Sequence, residues 1–152
     1  NYLTRTLRDK RFDRAVLKAI QTGEAIPADT QAAAIVNYAN KLLKLRGDTI
    51  ARTESLTALH AATHEAYAQA VQKGVVSEQS IRKIWHSAED ARVRFSHAIL
   101  DGESIGFKDT FVSPLGNRML YPGDTSMGAG PEDICNCRCN VTYRVDFLAN
   151  IR

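Results

Sequence analysis

Apolar positions recur at helical spacing through the first half of the chain. Phe12, Ala15, Val16, Ala19 and Ile20 share one face of a helix. The stretch TGEAIP, with Gly23 and Pro27, breaks that face. Asp29 or Thr30 can cap a second helix, whose stripe is Ala32, Ile35, Val36, Ala39, Leu42 and Leu43 and which ends near Gly47. From Asp48 a third, longer helix is expected through Leu56, Leu59, Thr63, Tyr67 and Ala70, stopped by Gly74. Then the pattern changes. Gly, Pro, Asn and Asp crowd into LDGES, SPLGN and YPGDTSMGAGPED, and the short runs SIGF, TFV, RMLY and CNVTYRV lie between them. That is the pattern of short strands joined by loops. SIRKIWHSAED stands at the change of regime. Ile81, Ile84, Trp85 and Ala88 fit one helical face with Ser77 as cap, so periodicity alone predicts a helix there. The expected class is α+β: N-terminal helices packed on a small C-terminal β-rich part with long loops, divided as a helical segment 1–47 and a second domain 48–152.

Composition narrows the classes. A chain of 152 residues can hold one domain with a sizeable core, or a domain and an arm. No apolar run approaches the twenty or so residues of a membrane-spanning helix, so no membrane partner is expected. The opening NYLTRTLRDKRF lacks the apolar core of a signal peptide, and the expectation is synthesis in a cytoplasm, where thiols stay reduced. The net charge of +3 is uneven: residues 1–52 hold ten Lys/Arg against five Asp/Glu, and the remainder ten against twelve. Arg5, Arg8, Lys10, Arg11 and Arg14 are the basic residues that could face DNA, and a solvated helix face is the plainer reading of the same run.

Four groups of residues carry candidate chemistry. In ARTES, Arg52 and Glu54 lie two apart on a helix and cannot pair with each other, so each either has another partner or lies at the surface. His60 and His64 share a helix face, but HAATHE places its Glu after the second His, unlike a zinc protease, and two polar-face histidines are expected. In EDARVRFSHAILDG, a helix capped by Asp90 would bring together Asp90 and Arg94, and Arg94 and His97, on adjoining turns. Such a cluster can hold a phosphate, orient a histidine or staple a loop. In CNCRC, Cys135, Cys137 and Cys139 would line one side of a strand, with His97 as a fourth ligand for zinc. The spacing is short for a zinc motif and strained for a disulfide, and packed thiols, a metal site, and a disulfide or reactive thiol all stay open. No cofactor other than zinc is indicated. Glycine-rich phosphate loops, Gly-x-Ser-x-Gly and His-Glu-x-x-His are absent.

In their order along the chain, TIARTES, QKG, IWHSAEDARVRFSH, LDG, YPGD and NCRC resemble the phage Mu F-like head morphogenesis family, from about Thr49 to Val145. The resemblance implies a minor capsid protein, not an enzyme. It would act in head assembly near the portal and the capsid interior of a phage or prophage virion, with portal and other capsid proteins as partners and packaged double-stranded DNA as a further contact. It also implies a strand around Ile81–Ser87. The family pattern carries over to Arg52, Glu54, Trp85, Asp90, Arg92, Arg94, His97 and Gly102, and to Asn136, Cys137, Arg138 and Cys139; Cys135 lies outside it. Its charged members are expected to form an internal clasp. The alternatives are a DNA-binding module and an enzyme of nuclease or ADP-ribosyl transferase-like type.

Overall fold

The computed structural model describes residues 2–147, and the chain is α+β. It divides into two compact units, Asn1–Asp48 and Thr49–Arg152.

In the first unit, α1 spans Asp13–Thr22 and ends on Gly23, whose φ of 72° is the left-handed conformation that closes a helix. Pro27 then precedes α2, which spans Ala28–Gln72. The break expected near Gly47 does not occur; the second and third expected helices are one helix of 45 residues. A single interior glycine costs a helix only about 1 kcal/mol. Lys44 and Asp48 bridge across it at 2.9 Å, so Asp48 is a side-chain partner within the helix and not a cap.

The second unit centres on a three-stranded antiparallel sheet in the order β2-β1-β5, formed by β1 (Ile81–His86), β2 (Ser104–Gly106) and β5 (Asn140–Val145). Trp85 lies opposite Val141 in the register. A separate ribbon pairs β3 (Phe111–Val112) with β4 (Arg118–Met119). Two short helices, α3 (Phe95–Ile99) and α4 (Pro131–Ile134), interrupt the loops. The core comprises Trp85, Leu100, Phe111, Met119, Ile134, Cys137, Cys139 and Val141.

Periodicity read SIRKIW as a helix; it is a strand, as the resemblance implied. Its inward positions are Ile81, Lys83 and Trp85, not Ile84. A lysine on the core face hid the period-two signal. Lys83 is fully buried, and its Nζ donates to the carbonyls of Asp109 at 2.7 Å and Leu120 at 2.8 Å. Burial pulls its pKa down to about 8.

Within this unit the C-terminal half of α2 docks through its polar residues. His60 is buried, with Nδ1 2.8 Å from the Pro122 carbonyl and Nε2 3.2 Å from Asn140 Oδ1. One turn on, His64 stacks on Phe107 with centroids 4.6 Å apart and meets the Tyr143 hydroxyl at 3.0 Å. The two histidines are therefore docking residues, not the solvated pair expected from the sequence.

Candidate functional site

The loops on either side of α3 and the stretch after α4 converge on His97. The α3 turn places it on the interior face, 1% exposed. CNCRC is not a strand: it is the turn and loop between α4 and β5, and β5 starts only at Asn140. Asn136 takes a left-handed φ of 58°, which breaks the alternation expected for the three cysteines. Cys137 and Cys139 turn inward and are buried, while Cys135 is exposed. The sulfurs of Cys137 and Cys139 lie 3.5 and 3.3 Å from His97 Nδ1. The structure thus gathers three of the four residues considered as metal ligands and leaves Cys135 outside.

Behind His97 lies Asp133, a buried carboxylate of α4 that composition alone did not single out. Its Oδ1 is 3.2 Å from His97 Nε2, close enough for an ion pair but off the line of a hydrogen bond. Ser96 and Ser113 donate to it at 2.9 and 2.5 Å, and Asn117 at 2.8 Å. Burial alone raises the pKa of this carboxyl, but these hydrogen bonds and His97 outweigh it and hold the pKa below the usual value. In the sequence it stands in GPED, just after the proline that starts α4, and nothing local there marks it as buried.

The two thiols are one titrating pair. A shared hydrogen bond lowers Cys137, helped by His97, and raises Cys139, so the first proton leaves easily and the second with difficulty. Trp85 stands edge-on to the His97 ring at 5.3 Å.

Around the mouth of this cluster is a cavity of about 280 Å³, with Arg52, Arg92, Arg94, Arg138, His97 and Cys139 in its wall. Fixed bonds hold its rim. Arg138 makes a two-pronged bridge to Asp90 at 2.7 and 2.6 Å. Asp90 also accepts from the Arg92 backbone N–H at 2.9 Å, and its pKa is held far below the usual carboxylate range, chiefly by the Arg138 bond. Arg52 donates to Asn136 Oδ1 at 2.6 Å, and the Asn136 N–H donates to Thr53 Oγ1 at 2.9 Å. Arg94 donates to the Cys135 carbonyl.

This differs in detail from the sequence reading. Asp90 caps no helix; it closes a turn, and α3 begins only after Arg94. The partner of Asp90 is Arg138, 48 residues away, and not Arg94. Glu54 is exposed and lies outside the cavity wall that Arg52 joins. Gly102 has a φ of 75°, and its N–H donates to the Trp85 carbonyl at 2.9 Å.

The five basic residues of the first unit are partly engaged. Arg8 pairs with Asp13 at 3.1 Å, Arg11 with Asp9 at 2.6 Å, and Arg5 lies over the Tyr38 ring. Lys10 and Arg14 are exposed.

Comparison with known proteins supplies the context. The profile of the family described as "Phage Mu protein F like protein" matches residues 10–142, a wider range than the motifs span on the N-terminal side. A curated relative, "Minor head protein GP7" of Bacillus phage SPP1, is 30% identical over 132 residues, which is 87% of this chain and 39% of that protein. The chain therefore spans about two fifths of the length of that relative. No solved structure matches the chain.

Proposed function

The chain belongs to the Phage Mu protein F-like family, and from that premise we propose that it acts in phage head morphogenesis as a minor capsid protein. The observation that carries this is its kinship, across most of its length, with a protein named a minor head protein. Its place would be in the virion, at the capsid interior or beside the portal, after synthesis in the host cytoplasm. Its partners would be the portal and other capsid proteins, with packaged DNA as a secondary contact.

Three features support a structural role. The rim bonds Asp90–Arg138 and Arg52–Asn136 join segments 48 and 84 residues apart, as a clasp does. The cavity at the cluster is lined by arginines that are largely committed to these partners. The first unit leaves Ile35, Val36, Leu42, Leu43 and Leu45 exposed, and apolar surface of that extent suits a protein that assembles with others.

The test is genetic and structural together. Deleting the coding segment from the phage that carries it, with and without complementation, should lower the yield of infectious particles. Mass spectrometry of purified heads should find the chain in wild-type particles and co-purifying with the portal. Heads of normal yield and DNA content without it would refute the role.

A further inference from the structure

We infer that His97, Cys137 and Cys139 bind one zinc ion, with Asp133 as the residue that positions His97 and with a fourth coordination position open to the arginine-lined cavity. This goes beyond the head-assembly reading, and either can fail without the other.

The distances carry the inference. Zinc bonded at about 2.3 Å to sulfur and about 2.0–2.1 Å to nitrogen, at tetrahedral angles, sets its sulfur and nitrogen ligands about 3.5 Å apart. The two sulfurs lie 3.5 and 3.3 Å from one and the same ring nitrogen, His97 Nδ1. All three ligand atoms fall within 4.8 Å of one another, and all three residues are buried. A hydrogen bond explains one sulfur on Nδ1; a shared ion explains both.

The surroundings agree. The Asp133 carboxylate beside Nε2 favours the proton on that nitrogen and leaves the Nδ1 lone pair facing the sulfurs. That is how a carboxylate commonly fixes a metal-bound histidine. The Trp85 indole N–H is buried with no hydrogen-bond partner among the described residues, in the same core cluster as Cys139. A metal-bound thiolate is a stronger acceptor than a thiol, so it would satisfy this orphan. The protein supplies three ligands, and His97 and Cys139 both border the cavity. The fourth position would hold water or a small anion from that side. Thiolate and imidazole together select zinc over hard cations. On binding, whatever protons remain on the two thiols leave to solvent and no redox change occurs.

The experiment uses the full chain, purified reduced and without chelator, and dialysed against zinc. Elemental mass spectrometry should find about one zinc per chain, kept in Cys135→Ser and lost in Cys137→Ser, Cys139→Ser and His97→Ala. Asp133→Asn should weaken zinc affinity by about 10- to 100-fold. Cobalt(II) loading of the wild type needs no variant to fold. It should give thiolate charge-transfer bands in the near ultraviolet and tetrahedral bands in the visible, and thiocyanate should shift the latter. No charge-transfer band, or metal retained when both Cys137 and Cys139 are serine, would overturn the site. Visible bands indifferent to thiocyanate would overturn the open position.

Discussion

At the scale of single residues, the second unit depends on polar side chains placed where apolar ones would be expected. Asp133 is the clearest case. It is fully buried and accepts from Ser96, Ser113 and Asn117, so removing it strands three donors. Breaking a buried charged network from one side costs about 3–5 kcal/mol. Asp133→Ala should lower unfolding free energy by that order in urea titration; a loss under 1 kcal/mol would mean that its partners find water. His64 supplies a pH dependence. Burial and the nearby Lys83 charge lower its folded-state pKa below 6.5, against the opposing pull of Asp124 and Glu65. The unfolded chain then takes up the proton first, so stability contributed by neutral His64 is present above pH 6.5 and falls as pH drops below it. His64→Phe keeps the stack on Phe107 and removes the titration. The urea midpoint of the wild type should therefore fall further between pH 7.5 and 5.5 than that of the variant. Equal falls would assign the dependence to other groups.

At the scale of elements, α2 meets the loop before Gly128 with almost no clearance. Gly123 has a φ of 88°, and a Cβ there would come within 2.6 Å of Thr57 Oγ1 on the helix. Gly123→Ala should destabilise by about 1–3 kcal/mol from backbone strain and helix displacement, read as a lower melting temperature. Thr57→Ala alone should be milder, and the double variant should recover part of the loss. The same elements show what was legible beforehand. α1, Gly23 and the runs that became β2 to β5 were readable, because punctuation by Gly and Pro and an apolar period dictate them locally. The continuity of α2 through Gly47 was not, since a lone glycine signals a break and a tolerated kink equally. β1 was masked by Lys83, whose partners are carbonyls 26 and 37 residues away. At the site, His97, Cys137 and Cys139 could be proposed from chemistry. The exclusion of Cys135 turns on the left-handed Asn136, and the inclusion of Asp133 on a long-range approach, and neither leaves a periodic trace.

At the scale of the whole molecule, the basic excess of residues 1–52 overstates what is available to DNA. Arg5, Arg8 and Arg11 already have partners within their own unit. Each phosphate neutralised contributes about −0.9 to the slope of log K against log salt, so five free cations would give about −4.5 and two about −1.8. Filter binding to duplex DNA between 50 and 200 mM salt should give the shallower slope if it detects binding. The steeper one would mean that the ion pairs open on contact. The chain holds a single tryptophan, Trp85, fully buried between His97 and Phe111 in the second unit. Its emission therefore belongs to that unit alone, while far-ultraviolet dichroism is dominated by α1, which lies in the first unit, and α2, which runs through both. The two optical signals therefore weigh the two units differently. If the emission change coincides with only part of the dichroism change in one sample, the second unit loses its structure separately from the first, with no label attached to either.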